Sequence, residues 1–114
     1  MKIAVPTRQG YIDDHLECCE SYTIYTVNED MEITAKDVIY PFEVGCCMAN
    51  PAIRLRQCGV TQVLAGSVED SVYDRMTGFG LEILREFHGM ADQVVNKYLG
   101  KMLANSNKSF SVLK

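Results

Sequence analysis

Apolar positions open the chain as an almost unbroken run, Ile3-Ala4-Val5, that stops at Pro6. A short continuous run of this kind predicts a strand buried on both faces. Tyr22 to Val27 (YTIYTV) is β-branched or aromatic throughout and predicts a second strand. Asn28-Glu29-Asp30 supplies turn chemistry, and Glu32 to Tyr40 resumes a strand pattern before Pro41. These two strands read as an antiparallel hairpin.

The rhythm then changes. Met48, Ala52 and Leu55 recur at helical spacing, with Pro51 in or near the first turn and Gly59 as a C-terminal stop. Thr61 to Ala65 reads as a strand. Ser67 with Asp70 three residues on forms a candidate capping box, and Val68, Val72 and Met76 carry a helical stripe as far as Gly78. Leu81 to Leu84 predicts the next strand. Ala91, Val94, Val95, Tyr98 and Met102 then trace the clearest amphipathic stripe in the sequence. The polar stretch 104–114 is expected to be a flexible tail.

This succession predicts one α/β domain over residues 1–103. Its sheet would have five strands in the order 3-2-1-4-5, mixed, with strand 2 antiparallel and helices on the faces. In such open sheets ligands bind beyond the carboxyl ends of the parallel strands. The loops expected there are Thr7 to Ser21, Pro41 to Cys47, Gly66 to Asp70 and Glu86 to Gly89.

Composition narrows the function classes. A chain of 114 residues with 47% hydrophobic content can bury one real core without staples. The formal charge of −4 disfavours a global nucleic-acid binder, which needs the opposite sign. Apolar runs are too short for a membrane span, and no secretory leader is expected, so the location expected is cytoplasmic.

The five cysteines carry the candidate chemistry. Four stand in adjacent pairs, Cys18-Cys19 and Cys46-Cys47. Neighbouring Cα atoms lie 3.8 Å apart, below the usual ~4.4–6.8 Å for a disulfide, so a bridge within a pair would be strained. Free thiols or metal-bound thiolates remain. The loop with the first pair also carries His15. The second pair precedes a helix N-terminus, where the dipole lowers a thiol pKa. The two loops are expected to converge. Thiolates select zinc, copper(I) or iron–sulfur species, and adjacent cysteines, whose side chains diverge, suit a cluster touched at several points better than one ion. Cys58 and His88 read as structural. Asp13-Asp14 and Glu69-Asp70 read as solvated acids, with a metal-dependent hydrolase as the weakest alternative and a thiol redox sensor as the stronger one.

The chain resembles the dinitrogenase iron–molybdenum cofactor-binding family, which includes NifX-like cluster carriers. The resemblance rests on MKIAVPT, on DDHLE before a tyrosine-rich strand, on GCCMANPAIRLRQCGVTQVLAGSV, and on GLEIL followed by a helix ending YLGKML. It implies a ribonuclease H-like fold and a non-catalytic role in assembling, storing or transferring a metal–sulfur cluster, iron–sulfur or a mixed species of molybdenum with iron or copper. His15 falls at the family's His-Phe-Gly position, with Leu16 and Glu17 replacing the last two residues. The cysteine pairs are not part of the usual family pattern and suggest a variant that grips its cluster with thiolates, so the expected site is His15 with Cys18, Cys19, Cys46 and Cys47. The implied partner is a cluster-donating or cluster-accepting protein, and the chain itself would be a monomer or weak homodimer.

Overall fold

The computed structural model of the chain describes residues 1–14, 21–40 and 51–112, with side chains from the last group for residues 52–102. The expected ligands His15, Cys18, Cys19, Cys46 and Cys47 lie outside the described residues, as does Met48. The described elements are β1 (Lys2–Arg8), β2 (Tyr11–Ile12), β3 (Ser21–Val27), β4 (Ile33–Ile39), α1 (Pro51–Gln57), β5 (Gln62–Leu64), α2 (Asp70–Thr77), β6 (Glu82–Leu84) and α3 (Ala91–Val112).

Hydrogen bonding orders the strands β4-β3-β1-β5-β6, with β2 paired to β1 beside that path. β3 runs antiparallel to both β1 and β4. β1, β5 and β6 are mutually parallel along the sheet. The alternation of a strand sends successive side chains to opposite faces, and both faces of the central strands are covered. Ala4, Tyr22, Ile24 and Val63 face a core built with Ala52 and Leu55 of α1 and Met76 of α2. Ile3, Val5, Tyr25, Val27 and Leu64 face Ala91, Val95 and Leu99 of α3. Truncating one such side chain, Leu55 or Leu99, to alanine costs about 2–5 kcal/mol in comparable cores.

Among the described residues the sheet has six strands rather than the five expected. Gln9 and Gly10 both adopt positive φ, 53° and 84°. Such a turn matches the right-handed twist of a hairpin and folds Tyr11–Ile12 back onto Thr7–Arg8. Part of the expected Thr7–Ser21 loop is therefore strand.

The expected Ser67–Asp70 capping box is absent. α2 starts at Asp70, its N-cap is Glu69, and no side chain caps it. Residues 104–112, expected as a tail, continue α3 to Val112. At the end of α1, Gly59 adopts φ 87°, the left-handed conformation that glycine accepts without a Cβ penalty. At the sheet edge, β4 is exposed along most of its length and carries Lys36 and Asp37, charges that discourage pairing with another chain.

Candidate functional site

The carboxyl ends of β1, β4, β5 and β6 and the start of β3 share one end of the sheet. The register there is specific: Thr7 pairs with Ser21, and Tyr22 pairs with Ile39. Ser21 opens β3 and Tyr40 directly follows β4, one residue beyond that last pair on each side. Residues 15–20 lead into Ser21, and residues 41–50 follow Tyr40. The two cysteine-bearing segments thus join adjacent strands at the same sheet end.

The stretch leading to the first segment is fastened to the body by two acids. Asp13 is buried; its N–H donates to the Pro6 carbonyl at 2.8 Å, and its carboxylate accepts Arg8 Nε at 3.0 Å. Asp14 Oδ1 accepts the backbone N–H of Ser67 at 3.1 Å, across 53 residues of sequence. That approach needs Gly66, where a Cβ would lie 2.0 Å from Asp14 Oδ1. His88 Nδ1 stands 3.9 Å from Asp14 Oδ1, and its Nε2 stands 4.0 Å from Glu86. His88 also lines a cavity of about 260 Å³ with Phe87, Tyr98, Lys97 and Lys101.

The backbone completes the fastening. Ile12 N–H donates to the Gly89 carbonyl and Ala91 N–H to the Gly10 carbonyl, both at 2.9 Å. Glu86 holds φ at 74° while its N–H bonds the Gly66 carbonyl at 3.0 Å. A non-glycine residue in this region carries strain that its surroundings must over-determine.

Of the second acid pair flagged by sequence, Asp70 is engaged at the surface. Asp70 pairs with Arg85 at 3.0 Å, and Arg85 in turn lies over the Tyr73 ring at 4.3 Å. Cys58 is half-buried against the core of α1 and α2. Among the described residues, no three His, Cys, Asp or Glu side chains gather in a way that could hold a metal ion.

Sequence reasoning passed over a cluster of hydroxyls at this end. Thr7 Oγ1 lies 2.8 Å from Ser21 Oγ and 3.0 Å from Thr23 Oγ1, all three residues being buried. They line a cavity of about 300 Å³ with Gln9, Gly10, Lys36, Val38 and Tyr40. The period of two in Ser21-Tyr22-Thr23 places both hydroxyls on one face. Only the antiparallel register with β1 brings them to Thr7.

Beside that cavity the first turn of α3 is pinned to the sheet. Asp92 accepts the Tyr25 hydroxyl and pairs with Lys36 at 2.9 Å. The Tyr25 hydrogen bond, followed by that of Lys36, holds the Asp92 carboxyl below its ordinary value. Burial, reinforced by Asp92, pushes the Tyr25 phenol well above the ordinary range. Burial likewise raises Tyr98, with Glu82 adding to the effect and the Gln62 hydrogen bond opposing it. Among the described residues no helix is long and apolar enough to cross a membrane.

Comparison with known proteins places this architecture. The model of the family described as dinitrogenase iron-molybdenum cofactor matches residues 1–101. Curated proteins give no match. Among solved structures, PH0822 superposes with a TM-score of 0.76 at 14% identity, covering 89% of this chain and 90% of that one. The mj0327 protein of Methanocaldococcus jannaschii gives 0.68 at 18% identity, covering 89% of each chain. The apo form of the orange protein from Desulfovibrio gigas gives 0.63 at 16% identity, covering 91% of this chain and 88% of that one. At these identities the likeness is one of fold.

Proposed function

The chain belongs to the dinitrogenase iron-molybdenum cofactor family, and from that membership we propose that it is a non-catalytic carrier of a metal–sulfur cluster. The cluster is cargo, taken from one protein and passed to another in assembly, storage or transfer. The domain of residues 1–103 is read as ribonuclease H-like and cytoplasmic, acting as a monomer or weak homodimer. Cys18, Cys19, Cys46 and Cys47 are its proposed ligands, with His15 as a further contact.

One observation carries the reading: the segments bearing the two cysteine pairs adjoin the ends of β3 and β4 at which Tyr22 and Ile39 are paired. Four soft thiolates in the two segments that adjoin that sheet end would suit a cluster of iron, copper or molybdenum with sulfide. Asp14 supports the same reading. Its bond to Ser67 fixes the residue just before the first segment beside the carboxyl end of β5.

The hydrolase alternative draws less support. Asp13, Asp14 and Asp70 are engaged with Arg8, Ser67 and Arg85, which leaves no paired carboxylates poised around a shared ion among the described residues.

The test is anaerobic reconstitution with iron and sulfide, followed by metal and acid-labile sulfide analysis. A carrier gains visible absorbance and stoichiometric sulfide, and loses both when all four cysteines become serine. A thiol sensor instead forms disulfides between the segments under oxidation and gains no absorbance. That second outcome would overturn the carrier reading.

A further inference from the structure

The cysteine-centred reading leaves unused the wall of the 300 Å³ cavity between β1, β3 and β4. Three hydroxyls in that wall bring three protons. Thr7 Oγ1 can donate to the Ser21 carbonyl at 3.2 Å, and Ser21 Oγ to the Thr7 carbonyl at 3.4 Å. The contacts of Thr7 Oγ1 with Ser21 Oγ and with Thr23 Oγ1 can run in either direction.

This reversibility matters. When Thr7 donates to Thr23, the Thr23 proton is freed for the cavity while Ser21 donates to Thr7. That exchange gives up only the two longest of the four contacts, those to the Ser21 and Thr7 carbonyls at 3.2 and 3.4 Å, and keeps the two shorter ones between hydroxyls, so the wall offers a donor at the cost of its weakest bonds.

Lys36 adds charge to the same wall. Its ammonium has three donors, and the two Asp92 oxygens at 2.9 and 3.0 Å occupy two of them. Asp92 is itself committed to Tyr25. One Lys36 proton remains for a ligand. Donors on β3 and β4 facing one concavity favour an oxygen-rich anion, and the ammonium disfavours a cation. The volume is at the small end of ligand cavities, enough for a tetrahedral anion with water around it.

We propose that Thr23 and Lys36, backed by Thr7 and Ser21, form an oxyanion subsite that works without the thiolates. Its ligand class is the tetrahedral oxyanion, for which sulfate and molybdate are two probes of the same chemistry and different size.

The test uses the full chain with Cys18, Cys19, Cys46 and Cys47 replaced by serine, so that thiolate binding cannot contribute. Amide NMR spectra are followed during titration with sodium sulfate or sodium molybdate at constant ionic strength, with chloride as the reference salt. Saturable shifts centred on Thr7, Ser21 to Thr23 and Lys36 are expected. Thr23→Val and Lys36→Met should each weaken binding about tenfold, the scale of one lost hydrogen bond to a charged group, whereas Thr23→Ser should bind as the parent does. Native amide dispersion in Thr23→Val checks that the fold survives, and the exposed Lys36→Met change tests the site without touching the buried hydroxyls. Equal affinity in the parent, Thr23→Val and Lys36→Met would overturn the subsite. So would linear shifts matched by chloride. Cluster loading of the wild-type chain would be untouched by that failure, which keeps the two readings separable.

Discussion

Asp14 and Gly66 meet so closely that a single methyl group cannot be placed between them: a Cβ on Gly66 would sit 2.0 Å from Asp14 Oδ1 and 3.3 Å from the Phe87 carbonyl. The first neighbour is a side chain that can move; the second is backbone. We predict that Gly66→Ala destabilises the protein by about 1–3 kcal/mol, the usual range for overpacking a tight site. Asp14→Ala removes the obstructing carboxylate and should make Gly66→Ala nearly harmless in the double variant, apart from the Phe87 contact. Denaturant melts of the four-member cycle measure this. Strict additivity would mean that the two residues do not share space.

The pinning of α3 by Asp92 gives a pH prediction. Its folded-state pKa lies below the ordinary value of 3.8, so it contributes stability that is present above that ordinary value and lost as pH falls through the folded one. Asp92→Asn should therefore be less stable than wild type at neutral pH, and the gap should close on the acid side of pH 3.8. The side chain is 54% exposed, and solvent screening limits the effect to about 1 kcal/mol. Thermal melts from pH 7 to 2 would read it. A gap that persists unchanged at the lowest pH would assign the loss to packing instead.

For the proposed cargo site, the expected signature is non-additivity. Replacing Cys18 and Cys19 by serine should lower cluster retention as much as replacing Cys46 and Cys47, with little further loss when all four are changed. Groups that grip one object act as a unit. Metal and sulfide content after anaerobic desalting provides the measurement, and independent losses from the two pairs would speak for two separate sites.

The two histidines should behave differently. His15→Ala is expected to weaken cluster binding about tenfold, a lost coordinating or charge-assisted contact, with the effect fading below about pH 6 as imidazole becomes protonated. His88 stands 3.9 Å from Asp14 and 4.0 Å from Glu86, and its removal should leave cluster affinity nearly unchanged. Anaerobic titration at neutral pH distinguishes them: wild-type affinity in His15→Ala would leave a site of thiolates alone.

Holding and releasing cargo also requires that the scaffold not depend on it. Two cores, built on Leu55, Val63 and Met76 on one face and on Val5, Val95 and Leu99 on the other, hold the described sheet and helices together by apolar contact. Chelation of a loaded sample should leave its circular dichroism unchanged, unlike a metal-nucleated fold that collapses when its ion is removed. Global unfolding would make the metal structural and the carrier reading untenable.

Local pattern determined much of this protein. The unbroken run Ile3-Ala4-Val5 announces a strand covered on both faces, and all three side chains are fully buried. The stripe through Ala91 and Val95 announces the helix that covers one of those faces. Such features are readable because the periodicity of neighbouring residues states which side of an element meets the core. The cysteine pairs were equally visible as chemistry. Tertiary structure decided the rest. Ser67 looked like a helix cap, but its N–H is taken by Asp14, and α2 begins later, at Asp70. Gln9-Gly10 is a tight hairpin turn whose strand, Tyr11–Ile12, is too short to carry a pattern. Thr7 meets Ser21 and Thr23 only through the β1–β3 register, and the same end of the sheet pairs Tyr22 with Ile39 on neighbouring strands. These relationships join segments far apart in sequence. They follow from strand order, register and close backbone approach, which arise only when the whole sheet assembles and which no window of adjacent residues encodes.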